Sequence, residues 1–512
     1  MAQLEHWKHV LVSPAHMWGH TRPLSILVAR MAKLRPIFIT FVVAAKYLKG
    51  VKVEVSRELA LCGEDVQKRI RFLPVEQGDD NFDPAIFEQH LLATWKQLFD
   101  GDCIMCEALD GTPYVLRLLE SPLSAVVIDI TLMESFNALR ERQKIATPFK
   151  IFTWLPVAIN TILSLCRFDA IPLVEAAAAQ MGASFNEAAR YLMLVPSGQV
   201  VRHPGLPDMY DHEYQPQAFQ MPADQCGRIY IRIGRVLQQT DGVLTFDAAD
   251  YYPEAVSAFR GWFAETSRKV YYVGPLVPDS SALSSSSQNG ERAQYGVLSF
   301  LDDQLTARGE RSVVYISFGS LFWPSDPGKV HAVLEVLINR NIPFILTHPS
   351  ALAVLSHDTM AMLSECKSAF VTQWAPQQAI LEHPATGWCL THGGHNTVLE
   401  CIAAEVPMIL WPIFTDQPVN AIHLTDHLDV AYELLEVRHG TGLGPIFRTG
   451  KTPIGTLAAV REELGKVLEC AFGEDGEAKR KRLQVLRTTL DRAWAEDGVA
   501  RAEAESFMED LP

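Results

Sequence analysis

Short apolar runs alternate with amphipathic stretches from the start of the chain. Residues 8–13 are largely apolar, a loop with Pro14 and Gly19 follows, residues 21–34 carry apolar positions at helical spacing, and residues 37–44 are apolar again. Strand, loop, helix and strand in that order predict the opening of a parallel, wound sheet. Further strands are predicted at residues 70–75, 125–130, 151–155, 242–246 and 270–273, with helical pattern between most of them. The pattern fails at residues 278–296, a Ser-rich stretch almost without large apolar residues, which predicts a flexible linker. Beyond it the alternation restarts: strands at 312–318, 343–347, 369–372, 388–391, 408–411 and 430–434, and a helix at 327–339. A charged helical tail runs from 477 to 508, with Leu483, Leu486, Leu490 and Trp494 at helical spacing. The expected organisation is an N-terminal α/β domain (1–277), the linker (278–296), a C-terminal α/β domain (297–476) and a helical segment (477–512). Ligand sites in such sheets lie at strand carboxyl ends and in the cleft between lobes.

Composition narrows the function. A chain of 512 residues exceeds one ordinary core, and 48% hydrophobic with 21% charged residues is the balance of a folded enzyme. The net charge of -15 argues against nucleic acid, which needs a dense basic surface. An anionic substrate must then be held by local dipoles and a few side chains. Nine scattered cysteines predict reduced thiols rather than a disulfide framework, and Cys103 and Cys106 read as incidental thiols. No basic-then-apolar signal segment opens the sequence, and the longest apolar stretch, residues 150–167, is broken by Pro156 and Asn160. A cytoplasmic enzyme without a transmembrane segment is expected.

The most informative stretch is residues 374–417, WAPQQAILEHPATGWCLTHGGHNTVLECIAAEVPMILWPIFTDQ. A strand runs into THGGHNT, a Gly-rich turn opening a helix, whose amides and dipole make an anion cradle. The stretch holds no Lys or Arg, so a diphosphate there would rely on amides, His392 and Thr397. Glu400 follows Thr397 on the same helical face and can accept two hydrogen bonds from a ribose diol. Trp374 offers a flat face to a pyrimidine, and Asp416 and Gln417 can bond adjacent hexose hydroxyls.

This segment resembles the signature box of the family 1 UDP-glycosyltransferases, in register without a gap. SVVYISFGS (residues 312–320), VGPL (273–276), HPGLP (203–207) and GVLTFDAADYYPEAV also resemble landmarks of that family, so the likeness covers nearly the whole chain and is weakest between Val51 and Ser121 and in the final helix. The resemblance implies the GT-B fold: two Rossmann-like lobes facing across a cleft, with a C-terminal helix packing back toward the N-lobe. It implies uracil stacking on Trp374, base contacts from Gln377, phosphate contacts from His392, Asn396 and Thr397, ribose contact by Glu400, and sugar contacts by Asp416 and Gln417. Ser320 lies on the phosphate-side turn, and Ala375 and Gly394 belong to the same donor-binding set. A terminal Gln resembles glucose-using members. His395 departs from the pattern, standing where plant members usually carry Trp, which leaves the hexose open.

Glycosidic bond formation needs a base for the acceptor hydroxyl, and a neutral His suits that task. The loop SPAHMWGHTRP carries His16 and His20 at a strand's carboxyl end; the Gly-His ahead of a helix resembles the family's catalytic position and favours His20. Asp129, ending the strand SAVVIDI, needs a partner if buried and matches the family's partner of the catalytic His. A base opposite a leaving diphosphate implies inversion. Met17, Trp18 and Trp154 are candidates for an apolar acceptor pocket. UDP-glucose or a related UDP-sugar and a small lipophilic hydroxyl-bearing acceptor are the expected partners, with no metal and no cofactor.

Other patterns carry less. Asp100-Gly-Asp102 matches a metal-binding Asp-x-Asp but follows a helical stretch, so it reads as a helix end. Gly440, Gly442 and Gly444 form an incomplete dinucleotide loop followed by Pro445. A UDP-sugar isomerase or epimerase and a non-catalytic UDP-sugar-binding protein are the rival functions. Glucuronate is a further donor sugar, disfavoured because no Lys or Arg neighbours Asp416 in sequence.

Overall fold

The computed structural model describes residues 7–79, 83–145, 148–166, 170–217, 223–278 and 288–512. It divides into two compact units, each assembled from separated stretches: Met1–Met193, Pro222–Ala282 and Arg492–Pro512 in the first, Leu194–Met221 and Leu283–Asp491 in the second.

The first unit is built on a nine-stranded sheet. Its strands are β1 His9–Ser13, β2 Phe38–Ala44, β3 Ile70–Val75, β4 Ile104–Glu107, β5 Pro113–Leu116, β6 Ala125–Asp129, β7 Lys150–Leu155, β8 Gly242–Thr245 and β9 Lys269–Tyr272. The spatial order is β9-β8-β7-β6-β1-β2-β3-β4-β5. From β9 to β3 all neighbours are parallel. Every residue of β1 and β6 is buried, which is why their sequences are continuous apolar runs rather than alternations. The β4–β5 hairpin at the edge is antiparallel and was not legible in the sequence. Met105, Tyr114 and Val115 point to solvent there and only Cys106 and Leu116 are buried, too few to impose a pattern.

Around this sheet pack α1 Trp18–Leu34, α2 Ala85–Asp100, α3 Met133–Gln143, α4 Ile171–Met181, α5 Phe185–Leu194 and α6 Ala223–Gln239. Helix α1 starts earlier than its apolar spacing suggests, so His20 lies in its first turn. Gly101, at φ 90°, ends α2, which makes Asp100-Gly-Asp102 a helix terminus. A final helix, Val499–Glu509, lies on the β9 side: Phe507 packs edge-on to Phe152 and Tyr271, and the Tyr271 hydroxyl donates to Asp510.

The second unit has six strands, β10 Val313–Ser317, β11 Phe344–Thr347, β12 Ala369–Thr372, β13 Thr386–Thr391, β14 Met408–Leu410 and β15 Ala431–Glu433. All pairs are parallel, in the order β12-β11-β10-β13-β14-β15. Counted from its first strand this is the 3-2-1-4-5-6 Rossmann order, and the first sheet has the same core order before its edge hairpin. The two-Rossmann, GT-B reading of the sequence therefore holds for both sheets.

Three boundaries differ from the sequence reading. The predicted linker falls partly on residues 279–287, outside the described residues, and its remainder opens a helix, α7 Gln288–Arg308. The fully buried Val297 and Leu301, one turn apart, anchor that helix, which extends back into the Ser-rich composition. The stretch Leu194–Met221, in chain order part of the first half, packs with the second unit. The buried Glu213 carboxylate accepts from the Phe447 amide at 2.9 Å and pairs with Arg448 at 3.1 Å. Arg448 and Arg438 both also pair with the buried Glu433. Burial raises the Glu433 pKa, but the two guanidiniums outweigh that and hold it below the ordinary carboxylate range. Gly442 and Gly444 of the 440–444 run serve this docking. A Cβ at Gly442 would lie 2.6 Å from the Pro216 carbonyl oxygen, and one at Gly444 2.5 Å from His212 Nε2. The tail is likewise shared: Glu474–Asp491 stays with the second unit, where Arg480 donates to the carbonyls of Gly387 and Glu405, and the remainder joins the first.

Candidate active site

In each sheet the chain order reverses between two neighbouring strands, β1 and β6 in the first unit, β10 and β13 in the second. Loops leaving these strands diverge and open a crevice, where ligands of such sheets bind. His20 follows β1 and Asp129 ends β6, while Ser320 follows β10 and His392 to Glu400 follow β13; Trp374, Ala375 and Gln377 come after β12, and Asp416 and Gln417 after β14.

In the first unit, the turn after β1 closes through Met17 N–H to the Ala15 carbonyl, and α1 begins at once. His20 projects from the first turn, its side chain 14% exposed, toward the wholly buried Asp129 at the end of β6. Nδ1 lies 2.9 Å from Asp129 Oδ2. An ionised carboxylate only accepts, so Nδ1 carries the hydrogen and Nε2 is left with its lone pair. The other carboxylate oxygen, Oδ1, accepts from the Thr131 amide at 3.0 Å and the Thr131 hydroxyl at 2.8 Å. Burial alone would raise the Asp129 pKa, but His20 and the two Thr131 donors outweigh it, and the carboxyl is held below its usual range.

The other first-unit candidates are placed differently. His16 is buried with its ring 5.5 Å from Phe87, a core position rather than an exposed base. Met17 and Trp18 are half-buried, Trp18 lying against Tyr47 and over Gly50. Trp154 has no exposed surface, and its Nε1 donates to the His20 carbonyl at 3.1 Å. It braces the dyad from β7 and does not present its ring as a pocket wall, which corrects the acceptor role read from its apolar neighbours. A pocket of about 390 Å³ lies where α3, α4, α5 and α6 meet, lined by Met133, Ile171, Phe185, Asn186, Ile231 and Arg232. Met133 opens α3 four residues after Asp129, through a turn in which the Leu132 amide bonds the Asp129 carbonyl.

In the second unit, the loops after β10 and β13 interlock around one imidazole. A Cβ on Gly319 would meet the His392 ring at 2.9 Å, and one on Gly394 would meet His392 Nε2 at 2.5 Å. Gly319 and Gly393 also have φ of 73° and 81°, so both loops require glycine. Burial lowers the His392 pKa to about 4, so near neutral pH it is an uncharged hydrogen-bonding group. Ser320 is exposed on the first loop. Gly394 caps helix α8, His395–Ala403, whose first turn carries Asn396 and Thr397. The buried Glu400 follows one turn later, and Gln377 Nε2 donates to it at 2.5 Å while Gln377 Oε1 accepts from the Tyr315 hydroxyl at 3.1 Å. That bond brings together the predicted base-contacting and ribose-contacting residues, a pairing that spacing alone does not reveal. Trp374 is 54% exposed and Ala375 beside it is buried. His395 is buried. Asp416 is buried and accepts from the Thr415 hydroxyl. Gln417 has no exposed surface, and its Oε1 accepts from the Ile413 and Phe414 amides, so only its Nε2 remains for a sugar.

Among the described residues no cluster of three or more His, Cys, Asp or Glu is arranged to hold a metal ion. Among the same residues no helix is long and apolar enough to cross a membrane. The described cysteines are free thiols, Cys103 exposed and Cys106 buried. Thr131 went unnoticed in the sequence, although an Asp followed two residues later by Thr is a recognisable turn signal.

Comparison with known proteins bears on the family and the fold. Residues 262–436 match the family described as UDP-glucoronosyl and UDP-glucosyl transferase. The chain is 32% identical to the UDP-glycosyltransferase eriJ of Hericium erinaceus, over 98% of both chains. Its fold is similar to Medicago truncatula UGT71G1 complexed with UDP-glucose, with a TM-score of 0.70 and 17% identity over 100% of both chains. It is also similar to Phytolacca americana UGT2 complexed with UDP-2fluoro-glucose and pterostilbene, with a TM-score of 0.64 and 17% identity over 98% of this chain and 100% of that one. A match to a named fungal relative across nearly its whole length, on two Rossmann sheets with these loops, establishes that the chain belongs to the family 1 UDP-glycosyltransferases and is a glycosyltransferase.

Proposed function

We propose that this enzyme transfers glucose from UDP-glucose to a hydroxyl of a small lipophilic acceptor, with inversion at the anomeric carbon and without a resident metal. The observation that carries the reading is the His20–Asp129 pair at the β1–β6 switch point. His20 Nε2 takes the acceptor proton as the oxygen attacks the anomeric carbon. The bond to the diphosphate breaks, and UDP leaves with the electron pair. Asp129 fixes the ring and stabilises the imidazolium formed. Attack from the face opposite the leaving group gives inversion.

Donor choice rests on uncharged groups. No Lys or Arg occurs between Trp374 and Gln417, which supports a neutral hexose over a uronic acid. We assign the uracil to Trp374, with Ala375 and Gln377 beside it, and the ribose to Glu400. The phosphates fall to Ser320, His392, Gly394, Asn396 and Thr397, and the hexose to Asp416 and Gln417. For the acceptor, the pocket beside Met133 has the mixed apolar lining and volume of a small-molecule site. A cytoplasmic setting is part of the same proposal.

The test is UDP release from a panel of UDP-sugars with phenolic and sterol acceptors, run with and without EDTA, beside His20→Ala. Acceptor-dependent release from UDP-glucose that survives chelation and falls ~10²–10⁴-fold in the variant is expected. The product anomer, read by proton NMR, should be β. UDP-glucose conversion without an acceptor would favour the isomerase reading instead.

A further inference from the structure

Asp129 is buried without exposed side-chain surface, and both its oxygens are occupied: Oδ2 by His20, Oδ1 twice by Thr131. The amide half of the Thr131 contact is a turn that any residue at this position could make. The hydroxyl half is particular to a Ser or Thr side chain. We propose that Thr131 is a positioning residue for catalysis, its hydroxyl holding Asp129 so that the carboxylate orients His20 without drawing off its proton. This rests on His20 acting as the base.

Geometry supplies the reasoning. A carboxylate with one well-compensated oxygen can only rotate by breaking two hydrogen bonds to Thr131, so Oδ2 stays directed at Nδ1. Trp154 fixes the other partner, donating from β7 to the His20 carbonyl, while the Ile130 amide donates back to the Trp154 carbonyl. Both members of the dyad are thereby tied to neighbouring strands. The two Thr131 donors also spread the negative charge of Asp129. Without the hydroxyl, the carboxylate would hold the imidazolium more tightly, and the dyad would stay protonated to higher pH. The active base form is the neutral imidazole beside the ionised Asp129, so the acid limb of the pH profile would move upward.

Thr131→Val keeps the branched shape and the amide but removes the hydroxyl, and Thr131→Ser keeps both donors. Profiles of kcat/KM against pH should show the acid limb of Thr131→Val raised by about one unit, the scale of one hydrogen bond to a charged group. The plateau should fall about tenfold, and Thr131→Ser should follow the wild type. UDP affinity by calorimetry should be unchanged in both. Superimposable acid limbs in all three proteins, with or without a drop in plateau, would overturn the proposal. Should Thr131→Val not fold, Thr131→Ala, which removes the hydroxyl without adding bulk, gives the same readout. Nitrogen-15 NMR of the histidines checks the cause independently: the His20 Nδ1-protonated tautomer should titrate at higher pH in the variant lacking the hydroxyl, and an unmoved titration would also overturn it. Full transfer by His20→Ala would instead refute the base assignment on which the proposal stands.

Discussion

The two sheets share one strand order yet equip their switch points in opposite ways. In the first unit the crevice holds a buried charge, Asp129, with both oxygens hydrogen-bonded and a single, mostly buried titratable ring beside it. In the second, the residues proposed for the donor are uncharged apart from Glu400 and Asp416, and consist of backbone amides, a neutral His392 and an exposed indole face. The second unit does bury cations, but in another set of residues, where Arg438 and Arg448 meet Glu433 and Glu213 to dock the 194–221 stretch. On the proposed function, proton transfer needs a poised charge and diphosphate binding by dipoles needs close backbone approach, which accounts for glycines in one crevice and an acid–imidazole pair in the other.

Four measurements would break or sharpen this contrast. Arg448→Met should cost about 3–5 kcal/mol of stability in urea denaturation, because it leaves the buried Glu213 without its ion-pair partner and Glu433 with Arg438 alone, while UDP affinity per folded molecule is retained. Loss of UDP binding at full stability would mean that the buried cations serve the ligand after all. Gly394→Ala should lower UDP affinity by about 100-fold in calorimetry, because the added carbon drives into His392; unchanged affinity would show that the loop yields. The third concerns pH. His392 is held at about 4 in the folded state against an ordinary 6.5. Between those values the unfolded chain binds a proton that the folded chain refuses, so the His392 contribution is complete above pH 6.5 and is lost as pH falls toward 4. The stability difference between wild type and His392→Asn, measured without ligand, should shift by on the order of 1–3 kcal/mol across that window. Last and smallest, UDP affinity should change less than about threefold between 50 and 500 mM salt, since screening acts on charged side chains and not on amide cradles. A steep salt dependence would point to cations recruited from elsewhere.

Much of this was readable from the chain. Strands β1, β6, β10 and β13 are buried on both faces, so each shows as an apolar run, and helix α8 announces itself through the Gly-rich turn ahead of it. Apart from Ser320, the proposed donor residues lie in one contiguous segment, which is why the physical reading of that segment and the family resemblance could be brought to bear on them together. His20 and Asp129, over a hundred residues apart, became a pair only through a resemblance and then through a 2.9 Å contact. Trp154 was misread because apolar neighbours say that a ring is buried, not which atom its nitrogen faces. The β4–β5 hairpin left no pattern because an exposed edge imposes none. The 440–444 glycines resembled a nucleotide loop because glycine is selected by close approach, as at Gly442 and Gly444, and by positive φ, as at Gly440, whatever group lies alongside.

Each unit is completed by a stretch distant in sequence, Leu194–Met221 for the second and Arg492–Pro512 for the first. This bears on how the gene can be cut and recombined. A division at the Ser-rich region would give one piece missing the helix that lies against Tyr271 and another missing the carboxylate that meets Arg448. A hybrid that borrows a relative's donor half should therefore carry the 194–221 stretch with it and keep the host's own last helix.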